Sequence, residues 1–97
     1  MTVRCIELAE YALKPGTTDD ALRRALQAVD LFLAGRPGFV SRRTLRDGPR
    51  FADLVEWTDL ASAQAAEQAA GQSPQAQAYF ALLDLRDARM RHFDVVA

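Results

Sequence analysis

Reactive side chains are scarce in this chain. Its 97 residues include one cysteine, one histidine and one tryptophan. A lone Cys5 excludes an intrachain disulfide framework and suits a reducing cytosol, so a cytoplasmic location is expected. A metal site needs several His, Cys or carboxylate ligands converging, so no metal and no cofactor is expected. No apolar run approaches the roughly 20 residues of a membrane span. The first ten residues lack the apolar h-region of a signal peptide. The formal net charge of −1 leaves no overall basic footprint for nucleic acid. The five glycines all fall at expected turns or helix ends, so no phosphate-cradling loop is present. What remains is 49% apolar and 26% charged, the balance of a soluble globular protein. Residues 1–97 make one domain, because two would each have too little core.

The charge is unevenly placed. Residues 36–50 hold five arginines (Arg36, Arg42, Arg43, Arg46, Arg50) against one acid, Asp47. Residues 53–84 hold five acids and no base. The arginine cluster reads as an anion site or as a guarded edge strand, the latter with acids of a partner chain as possible counter-charges. Charged residues are a usual device on exposed edges, which favours the second reading.

Residues 3–13 read as a strand with apolar residues at both parities, hence buried on both faces. Thr17 with Asp20 three residues on approximates a capping box for a helix carrying Leu22, Leu26, Val29 and Leu33. Gly35 is placed to end that helix in a left-handed conformation, and Pro37 prevents its continuation. Residues 39–46 and 51–57 form a hairpin through Asp47-Gly48-Pro49. Thr58 or Asp59 caps an alanine-rich helix over residues 60–70, broken at Gly71. Ser73-Pro74 starts a second piece, reaching Asp84. Residues 89–96 close the chain as a strand. The order is βαββαβ, an α+β, ferredoxin-like arrangement: a four-stranded antiparallel sheet with the helices on one face. The bare sheet face would expose a large apolar patch, and a second copy packed sheet to sheet would cover it. A homodimer through the sheet face is therefore expected.

Three short motifs carry a family resemblance: Pro37-Gly38-Phe39, Val55-Glu56-Trp57 and His92-Phe93. With the element order, they resemble the antibiotic biosynthesis monooxygenase family, from residue 7 to residue 95. The resemblance implies a dimeric α+β barrel and a range of activities, cofactor-free oxygenation of phenolic polyketides among them. Several family members carry a His in the helix after the strand-ending Trp. Here that helix reads Ala63-Gln64-Ala65-Ala66-Glu67-Gln68, which argues against haem degradation.

His92 is the one side chain that titrates near neutrality without help, and it is the first candidate base. A hydrogen-bonded sheet or dimer-interface histidine is the plainer reading. Strand alternation puts Phe51, Asp53, Val55 and Trp57 on one face, and Ala52, Leu54 and Glu56 on the other. A carboxyl group among apolar neighbours holds its proton to higher pH and can act as acid or base, so Asp53 is the second candidate. A salt bridge to the hairpin arginines is its structural alternative. Cys5 with His92 is a conceivable nucleophile–base pair, although Cys is more often a small buried hydrophobe. Trp57, Tyr79, Phe32 and Phe39 are candidate walls for a small aromatic ligand, or plain core. Two functions follow. One is a cofactor-independent monooxygenase acting on a small phenolic or enolic compound. The other is a non-catalytic dimeric binding or accessory protein. An open pocket of roughly 300 Å³ holding His92 or Asp53 separates them.

Overall fold

The computed structural model describes residues 3–97. The elements are β1 (Cys5–Ala12), α1 (Asp19–Ala34), β2 (Phe39–Asp47), β3 (Arg50–Trp57), α2 (Leu60–Ala70), α3 (Pro74–Phe80), a 3₁₀ turn (Leu85–Asp87) and β4 (Arg89–Asp94). The strands form one antiparallel sheet in the order β2-β3-β1-β4. This is the expected ferredoxin-like βαββαβ architecture.

Period-two alternation sets the two sheet faces. On β3, Phe51, Asp53, Val55 and Trp57 are all buried, while the residues between them are half-buried. The register places Glu7, Ala9 and Tyr11 of β1 beside Val55, Asp53 and Phe51. It places Met90 and His92 of β4 beside Ala9 and Glu7. This inward face meets the helices. The other face carries Ile6, Leu8, Ala52, Leu54 and Phe93 at its centre, with Arg43, Arg91, Glu10 and Glu56 around them. The first strand is thus covered on its inward face only: Cys5 and Tyr11 are buried, whereas Ile6 and Leu8 are half-exposed. The expectation of burial on both faces does not hold within one chain.

Helix α1 docks through Leu22, Val29 and Leu33, one stripe at helical spacing. Its cap is Thr18, whose hydroxyl accepts from the Ala21 N–H at 3.1 Å. Sequence favoured Thr17, one residue early; Thr18 has the extended backbone that a cap requires. Gly35 ends the helix at φ −88°, so it is not left-handed. The left-handed residue of this corner is Gly38, at φ +82°. A β-carbon there would fall 2.2 Å from Ser62 Oγ and 2.7 Å from Thr58 Oγ1. Pro37-Gly38-Phe39 is therefore where the start of α2 lies against the β2 corner, and the Thr58 N–H donates to the Gly38 carbonyl at 2.8 Å.

Helix α2 is capped by Asp59, which accepts from the Ser62 N–H at 2.8 Å. It buries Ala63, Ala66 and Ala70; their small side chains let it lie close to the sheet. Ser73 caps α3 and Pro74 occupies its first turn. That helix stops at Phe80 and does not continue to Asp84. Leu83 instead forms a bridge to Leu13.

Candidate functional site

The inward face does not fill completely. Between sheet and helices lies a cavity of about 320 Å³, at the lower end of the range for small-molecule sites. Trp57, Val55 and Ala9 form its floor; Phe32, Leu33, Ala66, Tyr79 and Phe80 come from the helices. Arginine 36 stacks its guanidinium 5.0 Å from the Phe32 ring centroid. Two polar groups sit in this apolar shell, one toward each side of the sheet.

The first is centred on Asp53, only 6% exposed. Its Oδ1 accepts from the Thr44 hydroxyl at 2.6 Å and faces Arg42 Nη1 at 3.4 Å. Its Oδ2 accepts from the Tyr79 hydroxyl. Arginine 42 also binds Asp30 of α1 at 2.7 Å, and its side chain is 8% exposed. Of the two surroundings the sequence left open for Asp53, apolar or a salt bridge to a hairpin arginine, the second is present: it stands among three donors, with Thr44 its register partner on β2. Burial and the Asp53 charge hold the Tyr79 hydroxyl protonated far beyond the ordinary tyrosine range. Beside it, Tyr11 is 1% exposed and its hydroxyl has no hydrogen-bond partner. Burial, then Asp53, push the Tyr11 hydroxyl up to about 12.

The second polar group joins β1, α2 and β4. His92 Nε2 and Glu67 Oε1 share a hydrogen bond of 2.5 Å. Glu7 lies across the strand pair from His92, and one side-chain atom from each of the three falls within 4.8 Å of the others. This is the one group of three His, Cys or acidic residues, among those described, with spacing tight enough to share a proton or a cation. Glu7 and Glu67 line the cavity, while His92 stands behind Glu67 with its side chain 27% exposed. Burial, followed by the charge of Glu67, pushes the Glu7 carboxyl up to about 7. Glu7 Oε1 and Trp57 Nε1 are buried without hydrogen-bond partners.

The structure thus brings Asp53, Trp57, Tyr79 and Phe32 to one cavity; His92 is not in its lining and is joined to it through Glu67. Phe39 is not in the lining; its ring packs edge-on against Trp57, 5.7 Å between centroids. Cys5 is buried, and burial pushes its thiol up, away from nucleophile chemistry. The arginine cluster is largely spent within the chain: Arg42 on Asp30 and Asp53, Arg46 on Asp19 at 3.5 Å, and Arg50 on Asp87. Sequence reasoning passed over Glu7 and Tyr11 as site residues. Their parity was the available signal, since both alternate with Cys5 and Ala9 on the inward face of β1.

Fold and cavity together define a ferredoxin-like α+β protein with a small-molecule-sized chamber under its sheet. Solved structures with this fold include SnoaB, a cofactor-independent oxygenase from Streptomyces nogalater. It is 20% identical, with a TM-score of 0.74 over 99% of this chain and 94% of that one. A candidate antibiotic biosynthesis monooxygenase from Bordetella bronchiseptica is 17% identical, with a TM-score of 0.79 over 99% and 100% of the two chains. A dimeric ferredoxin-like protein of unknown function from Thermobifida fusca is 15% identical, with a TM-score of 0.72 over 98% and 93%. These likenesses establish the fold. No family model matches the chain, and no curated protein matches it. Among the described residues, no helix is long and apolar enough to cross a membrane.

Proposed function

We propose that this protein is a homodimeric, cofactor-independent oxygenase acting in the cytoplasm on a small phenolic or enolic ring compound. The observation that carries the reading is the cavity of about 320 Å³, walled by Trp57, Phe32 and Tyr79, with the carboxyl groups of Glu7, Asp53 and Glu67 in its lining. The family resemblance of the motifs and the activity named for SnoaB point the same way.

An apolar chamber of this kind orients a flat ring and keeps water from the reacting atoms. A carboxyl end removes a proton from an activated C–H or O–H of the ligand, and the electron pair stays behind. The resulting anion adds to dioxygen, the co-reactant, forming a C–O bond. The peroxide regains a proton and loses water. At a CH₂ centre the balance is CH₂ + O₂ → C=O + H₂O, and the electrons come from the ligand itself. Asp53 holds Tyr79 in place at one end. His92 acts at the other end through Glu67. The apolar centre of the outer sheet face, with Ile6, Leu8, Leu54 and Phe93, packs on a second copy.

The Asp53–Arg42 ion pair favours a second reading, in which the cavity binds a ligand without changing it. Oxygen-electrode assays with fused-ring phenols and enols separate the two, run with native mass spectrometry of freshly purified protein. Oxygen uptake without added flavin or metal, weakened in Trp57→Ala, is the expected result. A retained ring compound with no uptake selects the binding protein. Neither uptake nor ligand removes both.

A further inference from the structure

Glu7 is a half-buried acid with one carboxylate oxygen, Oε1, buried and unpaired. It lies on β1 between Cys5 and Ala9 on the inward face and lines the cavity. Buried polar atoms are nearly always paired, and an exception often marks a catalytic group. Glu67 and His92 satisfy each other at 2.5 Å, which leaves Glu7 as the free member of the three. Asp53, by contrast, already accepts from Tyr79 and Thr44 and pairs with Arg42. His92 itself does not line the cavity. Trp57, 1% exposed, brings its indole N–H to the same chamber, close enough to the Glu7 carboxyl to favour its ionised form yet short of hydrogen-bond geometry.

We propose that Glu7 is the group that takes the ligand's proton, with Glu67 and His92 as its positioning residues. The inference rests on the ring-binding reading of the cavity given above. In the step, an O–H or C–H bond of the ligand breaks, its electron pair remains on the ligand, and the proton bonds to Glu7 Oε1. The Trp57 N–H is then a donor available to the new anion. A general base works best when it titrates near the operating pH. Burial and then Glu67 raise Glu7 to about 7, while His92 acts in the opposite sense. Asp53 of β3 and Cys5 of β1 are the other titratable groups facing it.

The probe is 3-nitrophenol, whose ionised form is coloured and which ionises above the Glu7 midpoint, bound to the full-length protein at a pH between the two, where Glu7 is ionised and the free probe is not. The wild type is expected to bind it with an ionised band that the free probe lacks. Glu7→Gln should retain binding and lose most of that band, because an amide cannot take the proton. A carbon-13 titration of the Glu7 carboxyl supplies a second readout without ligand. Its midpoint should fall in Glu67→Gln and rise in His92→Gln, a pair of opposite shifts that a merely structural role does not produce. An undiminished band in Glu7→Gln removes this role and leaves the cavity reading standing. Midpoints moving together overturn the positioning roles, and a band that appears only with added zinc(II) makes the three groups cation ligands and overturns the proposal. Absence of any binding by the wild type removes the cavity reading and this role with it.

Discussion

Glu7 weakens the folded chain at neutral pH, and that gives it a measurable signature. Its carboxyl ionises at about 7 instead of 4.5, so between those values the folded state holds a proton that the unfolded state has lost. Stability therefore falls as pH rises through this window, by at most about 3 kcal/mol from this group. Urea unfolding across the window should show the fall in wild type and a flatter profile in Glu7→Gln. Tyr11 and Tyr79 act in the same sense at higher pH. Both are raised by burial and then by Asp53, so stability present below about pH 10 is lost above it. Tyr79→Phe removes one donor from a buried carboxylate and should cost about 1–3 kcal/mol. Asp53→Ala should cost more, about 3–5 kcal/mol, because it strands both Tyr79 and part of the Arg42 pairing. Urea midpoints check both. Asp53, Trp57 and Tyr79 were visible in the sequence through alternation on β3 and helical spacing on α3. Glu7 was not, because a lone acid in a strand reads as an outward residue until its parity is matched to Cys5 and Tyr11.

At the scale of elements, local sequence spoke clearly wherever one chemical reason decided the outcome. Ser73-Pro74 starts α3 and Asp47-Gly48-Pro49 turns the hairpin, both as read, while of the two caps offered for α2, Thr58 and Asp59, the structure uses Asp59. The shifted features are those where two residues compete or distant packing decides. Thr17 and Thr18 are adjacent candidates for one cap, and Thr18→Ala should cost about 1 kcal/mol while Thr17→Ala costs little. Gly35 and Gly38 flank the same corner, and only the contact with Ser62 tells which is indispensable. A methyl group at Gly38 meets both a left-handed backbone and the Ser62 side chain at under 3 Å. Gly38→Ala should lose roughly 2–5 kcal/mol, the sum of backbone strain and overpacking. Gly48, also at positive φ, has nothing within 4 Å of a β-carbon. Gly48→Ala should lose only the strain, about 1 kcal/mol. Thermal unfolding of the two variants side by side separates the backbone from the packing contribution.

Across the whole molecule, connectivity was legible because the hairpin and the two strand–helix–strand segments leave one simple antiparallel order. The cavity was not, because an unfilled volume depends on how α1, α2 and α3 settle over the sheet. Aromatic residues at helical and strand spacing look the same whether they fill a core or line a chamber. The arginine cluster became legible only through its partners on α1 and beside β4. The outer sheet face carries the assembly prediction. Leu8→Arg puts a charge at its centre, and light scattering should then report a dimer for the wild type and a monomer for the variant. A lone thiol makes the state of the sheet observable from outside. Cys5 is 1% exposed on β1, which pairs with β3 and β4. A thiol reagent can reach it only when that strand opens, so its labelling rate counts openings and not surface chemistry. Bound ring compounds should slow that clock, and destabilising changes on either neighbouring strand should quicken it.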